Sequence, residues 1–196
     1  MSRTSKEDAK AERRKYVRWV ITIFLITVIV SGVISYISDE IMENSSMVIA
    51  FVILLIIVTV GIIFDTVGVA VASADEKPFH SMAARKVRGA QEAITLLRNA
   101  ERVSSICNDV VGDICGVISG SAAATIAAQV IHSSDFSRPR VIVLLMSGLV
   151  AGLTVGGKAI GKAFAMNSCT EIVHFVGSVS YAFRRIPALF RKKTDR

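Results

Sequence analysis

The sequence predicts an all-α polytopic membrane protein with four transmembrane helices and juxtamembrane amphipathic helices. Three observations carry this expectation. Hydrophobic residues make up 52% of the 196 residues and charged residues only 20%, with three prolines, a balance that suits a bilayer better than a water-facing globule. Four apolar stretches reach about the 20 residues that a helix needs to cross a bilayer. The basic residues behind the net charge of +7 gather at both ends and in one central segment, beside apolar runs. Cationic flanks of membrane helices explain that placement better than a nucleic-acid surface, so no nucleic-acid partner is expected.

Residues 1–18 are polar and basic, ending in AERRKYVR, and WVITIFLITVIVSGVISYIS (19–38) is the first span. Its apolar core is too long for a cleavable signal, and no small-residue cleavage site follows. DEIMENSS (39–46) reads as a short acidic loop. The second span starts at Met47, runs through VIAFVILLIIVTVGII, meets Asp65 and fades at Asp75.

Residues 76–102 are charged and amphipathic. Met82, Val87, Ala90, Ile94 and Leu97 recur at helical spacing, with Arg85, Lys86, Arg88 and Glu92 on the other face. This pattern predicts one helix lying on the bilayer surface. A third span follows from about Val103 to Ile131, HSSDFSRPR (132–140) turns the chain, and a fourth covers about Val141 to Phe164. The tail FRRIPALFRKKTDR is basic and partly amphipathic.

The lysines and arginines set an expected orientation. The N-terminus, residues 76–102 and the C-terminus are basic, whereas 39–46 has no basic residue and 132–140 only Arg138 and Arg140. Four crossings of the cell membrane with both termini in the cytoplasm fit this distribution.

Two glycine ladders stand out within the spans. Gly112, Gly116 and Gly120 continue into Ala124 and Ala128 at a spacing of four, and Gly148, Gly152 and Gly156 repeat it. Small residues at this spacing let helices approach closely, within one subunit or between two. Four ionisable groups also fall inside apolar spans: Asp65, Asp109, Asp113 and Lys158. Each costs about 2.5–3.5 kcal/mol at a helix centre, so each needs a partner ion, a bound cation or water. All four belong to the expected cytoplasmic half, at depths that would let them meet.

One reading is a buried salt-bridge cluster in which Lys158 pairs with an aspartate. The other is a cation or proton site, for which carboxylate oxygens with Asn108, Ser105 and Thr66 nearby suit magnesium or calcium better than zinc or copper. No enzyme pattern rises beside these. Cys107, Cys115 and Cys169 have no metal-type pairing, His80, His132 and His174 are scattered, and GGKAIGK (156–162) lacks phosphate-loop spacing.

In order, these parts resemble the transmembrane domain of the cyclin-M (CNNM) and CorB/CorC magnesium transporters, over about residues 47–185. FDTVGVAVASAD (64–75) is similar to the small-residue-rich end of that family's first membrane helix. SSICNDVVGDI (104–114) is similar to its Ser-Thr-Ile-x-x-Gly-Asn-x-x-x-Asn stretch, with Asp109 and Asp113 on the two Asn positions. GKAIGK (157–162) is similar to its Gly-Glu-x-x-Pro-Lys motif, with AFAMNSCTEIV following. The resemblance implies a homodimer that holds magnesium in a cytoplasm-facing cavity, with Asp65, Asp109 and Asp113 as ligands and Asn108 beside them.

Residues 1–46 would be an addition to that domain, and 186–196 a basic tail standing where the family continues into cystathionine-synthase-like cytosolic domains. A separate cytosolic regulatory protein is therefore a candidate partner. Where the family has neutral residues this chain has aspartates, and where it has a glutamate this chain has Lys158. The change could neutralise the cavity, couple it to protons, or abolish metal binding and leave a membrane interaction protein.

Overall fold

A computed structural model describes residues 3–43, 45–133 and 139–191, all of them in helices or short turns. The chain is an all-α polytopic membrane protein. Helix α1 (Arg3–Glu43) carries the first candidate span, Tyr16–Met42, and α2 (Met47–Ser73) is the second. Two short helices follow, α3 (Lys77–Ala84) and α4 (Ala90–Arg98). The third span, Ala100–His132, is built from α5 (Ala100–Ser105), a π-helical stretch (Ile106–Gly112) and α6 (Asp113–Ser133). Helix α7 (Pro139–Asn167) is the fourth, and α8 (Cys169–Arg191) closes the described chain. The expected turn at 132–140 lies largely outside the described residues, as do 192–196.

Two apolar clusters organise the bundle, one at each end. Near the α1–α2 turn, Leu54 and Val58 of α2 meet Ala122, Ala123 and Ile126 of α6, Val150 of α7 and the wholly buried Met42. Burying Met42 draws the chain onward as helix, so 39–43 belong to α1 and, of the described residues in the expected loop, only Ser45 and Ser46 are non-helical. α1 continues to Glu43, and Asp39 accepts a hydrogen bond from Ser121 of α6 at 3.1 Å. Most of α1 before this contact is exposed: Phe24, Ile29 and Val33 touch little of their own chain, and lipid is the solvent that suits them.

The second cluster joins α2, α3, α4, α7 and α8 at the basic end. Ala70 and Val71 of α2 meet Phe79, Ala93, Ile94, Leu97, Ala165 and Val173. The single surface helix expected over 76–102 is instead a helix–turn–helix whose apolar side is buried in protein. Lys86 (φ 56°) and Gly89 (φ 82°) adopt left-handed backbone, which ends the first helix and starts the second in a new direction. Val87 falls in that turn and is exposed, while Phe79 supplies the deepest contact. Gly89 serves a second need: a Cβ there would lie 2.5 Å from the Ser178 backbone nitrogen of α8.

Candidate functional site

Between the two apolar clusters lies a polar layer where α2, the π-helical stretch and α7 meet. Glycines make the approach possible. A Cβ at Gly61 would lie 2.8 Å from the Cys115 Cβ, and one at Gly68 would overlap the Asn108 carboxamide. Across the α2–α7 seam, a Cβ at Gly157 would overlap Ile62, and one at Gly161 would overlap Thr66. These are the glycines that let backbones close, as small residues do in lipid.

Asp65 sits in this layer with 3% of its surface exposed. Two ammonium groups bracket it from successive turns of α7. Lys158 Nζ is 3.7 Å from Oδ1, and Lys162 Nζ is 3.6 Å from Oδ2. Lys158 also donates to the Gly112 carbonyl at 3.2 Å, tying α7 to the third span. Gly112 closes the π-helical stretch, and such turns recur at functional sites. Cys107 and Gly112, five apart, are the buried residues of this stretch.

The three groups sum to one positive charge, so Asp65 is well countered rather than short of cations. Even so, two acceptors are left over. Asp65 Oδ2 and Asn108 Oδ1 are both buried without a hydrogen-bond partner; Lys162 stands beyond hydrogen-bonding reach of the first. Buried acceptors of this kind call for water, a proton or a cation. Asn108 otherwise donates to Ser104 Oγ at 3.2 Å.

The remaining sequence candidates go elsewhere. Asp109 and Asp113 are exposed on the outside of the third span, and Ser105 donates to Asp109 Oδ2 at 2.7 Å. Among the described residues no three His, Cys, Asp or Glu side chains come together as a metal site, so Asp65, Asp109 and Asp113 do not converge. The ladder positions diverge as well. Gly112 is buried against Asp65 and Lys158, but a Cβ at Gly116, Gly120, Gly148, Gly152 or Gly156 would meet nothing within 4 Å. A spacing of four advances about 400°, so each step turns ~40° further from the packed face. The packed face of α6 runs instead through Ile114, Ile118, Ser119, Ala122 and Ala123.

Lys162 is the participant that the sequence reading missed. In the sequence it entered only as the last residue of GKAIGK, near the end of the expected fourth span. The signal was its spacing of four from Lys158, which puts both on one helical face. The chain matches no protein-family model, no curated protein and no solved structure.

Proposed function

We propose that this multi-pass membrane protein binds and moves a cation at Asp65, with the Lys158 ammonium as a built-in competitor. The observation that carries the proposal is the buried carboxylate in an apolar bundle, with Oδ2 and the nearby Asn108 Oδ1 left without hydrogen-bond partners. Ionisable groups at membrane depth are expensive and mark ion pathways more often than structural pairs. The all-oxygen donors suit magnesium, bound through one carboxylate and retained water rather than a full protein cage. The resemblance to the cyclin-M and CorB/CorC domain supports the same class of cargo, the cell membrane as location and a homodimer as assembly.

A second reading is favoured by the two lysines. Lys158 within 4 Å of Asp65 and bonded to Gly112 O can be a permanent substitute for the metal, which would make the chain a non-transporting interaction protein. Thermal unfolding of Lys158→Met across magnesium concentrations separates the two. Under the transport reading the variant loses its internal competitor, and magnesium stabilises it more than it does the parent chain. At an effective dielectric near 20 the interaction of unit charges ~4 Å apart is about 4 kcal/mol, ample for a visible shift after discounting. Destabilisation that neither magnesium nor calcium repairs would sink the transport reading and leave the salt-bridge one.

A further inference from the structure

Away from the polar layer, on the other side of the α2–α7 seam, lies a groove of about 930 Å³. Its walls are Ile62 and Val67 of α2, Ile160 and Phe164 of α7, and Phe175 and Val179 of α8. The volume is of the order that holds a sizeable apolar ligand. It is open to the side, and its rim is aromatic: Phe164 and Phe175 are 58% and 69% exposed. On α8 the apolar residues Ile172, Phe175, Val176, Val179 and Phe183 follow one stripe at helical spacing. The opposite stripe, Val173 with Gly177, is buried against α4. The helix is thus fastened to the protein by one face and turns the other toward the bilayer.

We propose that this groove is a binding site for an anionic phospholipid, with its acyl chains against α2, α7 and α8 and its phosphate at Arg184, where the basic run of the sequence begins. Charge decides the choice of occupant. Arg184, exposed, comes five residues after Val179, about 7.5 Å along the helix, and opens the run RRIPALFRKK. In sequence that run has five basic residues in ten and no acid, and a basic run that follows an amphipathic stretch beside a span is the pattern that recognises anionic headgroups. The acidic residue of the lining, Glu171, stands at the other end of α8, about 20 Å from Arg184, so it does not oppose a phosphate there. A neutral lipid would fill the groove equally well but offer no charge to the exposed Arg184. This site stands independently of any cation at Asp65.

The chain has a single tryptophan, Trp19, which makes the test direct. In a Trp19→Phe background, Val176→Trp places a fluorescent reporter in the groove, and Ile160→Trp on its rim is a second reporter should the first misfold. Each variant is reconstituted in phosphatidylcholine vesicles carrying brominated phosphatidylglycerol or, at equal mole fraction, brominated phosphatidylcholine. A Val28→Trp reporter on the lipid-facing side of α1 measures ordinary enrichment. The groove reporters should prefer the anionic lipid about fivefold over the α1 reporter, and R184Q/R185Q should erase that preference. Three outcomes would overturn the site: equal quenching by both lipids, no quenching by either because a second copy or another protein closes the groove, or a preference that survives R184Q/R185Q.

Discussion

Asp65 holds two ammonium groups apart as much as they hold it. Asp65→Asn would leave Lys158 and Lys162 one turn apart without a counter-ion, whereas Lys158→Met alone leaves the carboxylate one cation and turns a net positive cluster into a neutral pair. The first variant should therefore be the more damaging, by about 3 kcal/mol as for other broken buried pairs. Adding Lys158→Met to Asp65→Asn should recover part of the loss. A double-mutant cycle by thermal unfolding in detergent checks this; additive losses would mean that the 3.7 Å pair contributes nothing. The meeting of Asp65 with Lys158 was legible in the sequence because both sit in apolar spans at similar depth, where an unpaired charge is costly. The outward placement of Asp109 and Asp113 was not. Their spacing of four puts them together on a regular helix, but it does not say which side of that helix meets its neighbours, and the π turn at Ile106–Gly112 shifts the phase just there.

At the scale of elements, two classes of glycine should respond differently to the same change. Gly61→Leu would drive a side chain into the Cys115 Cβ and push α2 from α6, at a cost of about 1–3 kcal/mol as for other overpacked sites. Gly152→Leu adds a side chain to open space on α7 and should leave the unfolding temperature of the isolated chain unchanged. Gly116→Leu belongs with it, since it too faces open space. Comparing unfolding and size-exclusion profiles of the three checks the distinction. A shift of oligomeric state in Gly152→Leu or Gly116→Leu, with the fold intact, would assign the ladders to contact between subunits. From sequence the ladders drew attention because they are periodic. The glycines that close the bundle are Gly61 and Gly68, seven apart on α2, and Gly157 and Gly161, four apart on α7, so a spacing of four marks both the packed and the open face of α7 and does not say which one meets a neighbour. Likewise, helical periodicity over 76–102 identified Ala90, Ile94 and Leu97 as one apolar face, but not that protein would cover it.

For the whole molecule, the number and place of the spans were the most legible features, since ~20 apolar residues in lipid have no alternative to a helix. The four stretches reappear with edges shifted by a few residues, the second as Met47–Ser73 and the fourth as Arg140–Asn167. Direction across the membrane rests on the basic segments, and it can be read in intact cells with an impermeant maleimide. In a background without Cys107, Cys115 and Cys169, a cysteine at Glu43 should label and one at Arg98 should not. The reverse pattern would invert the whole chain and put the α3–α4 hairpin and α8 outside.

The attachment of α1 has a consequence for how the molecule is made. Its hydrogen bond from Ser121 joins residues 82 apart in sequence, and its buried anchor, Met42, waits on the same helix. While the chain is being synthesised, the first span therefore enters the bilayer long before its partner surface exists. It must remain stable there as a solitary helix, and its lipid-facing flank of Phe24, Ile29 and Val33 equips it to do so. Docking then comes late and at one end. Once docked, α1 is held at that one end, by Asp39 and Met42, apart from the ion pairs of α2 and α7.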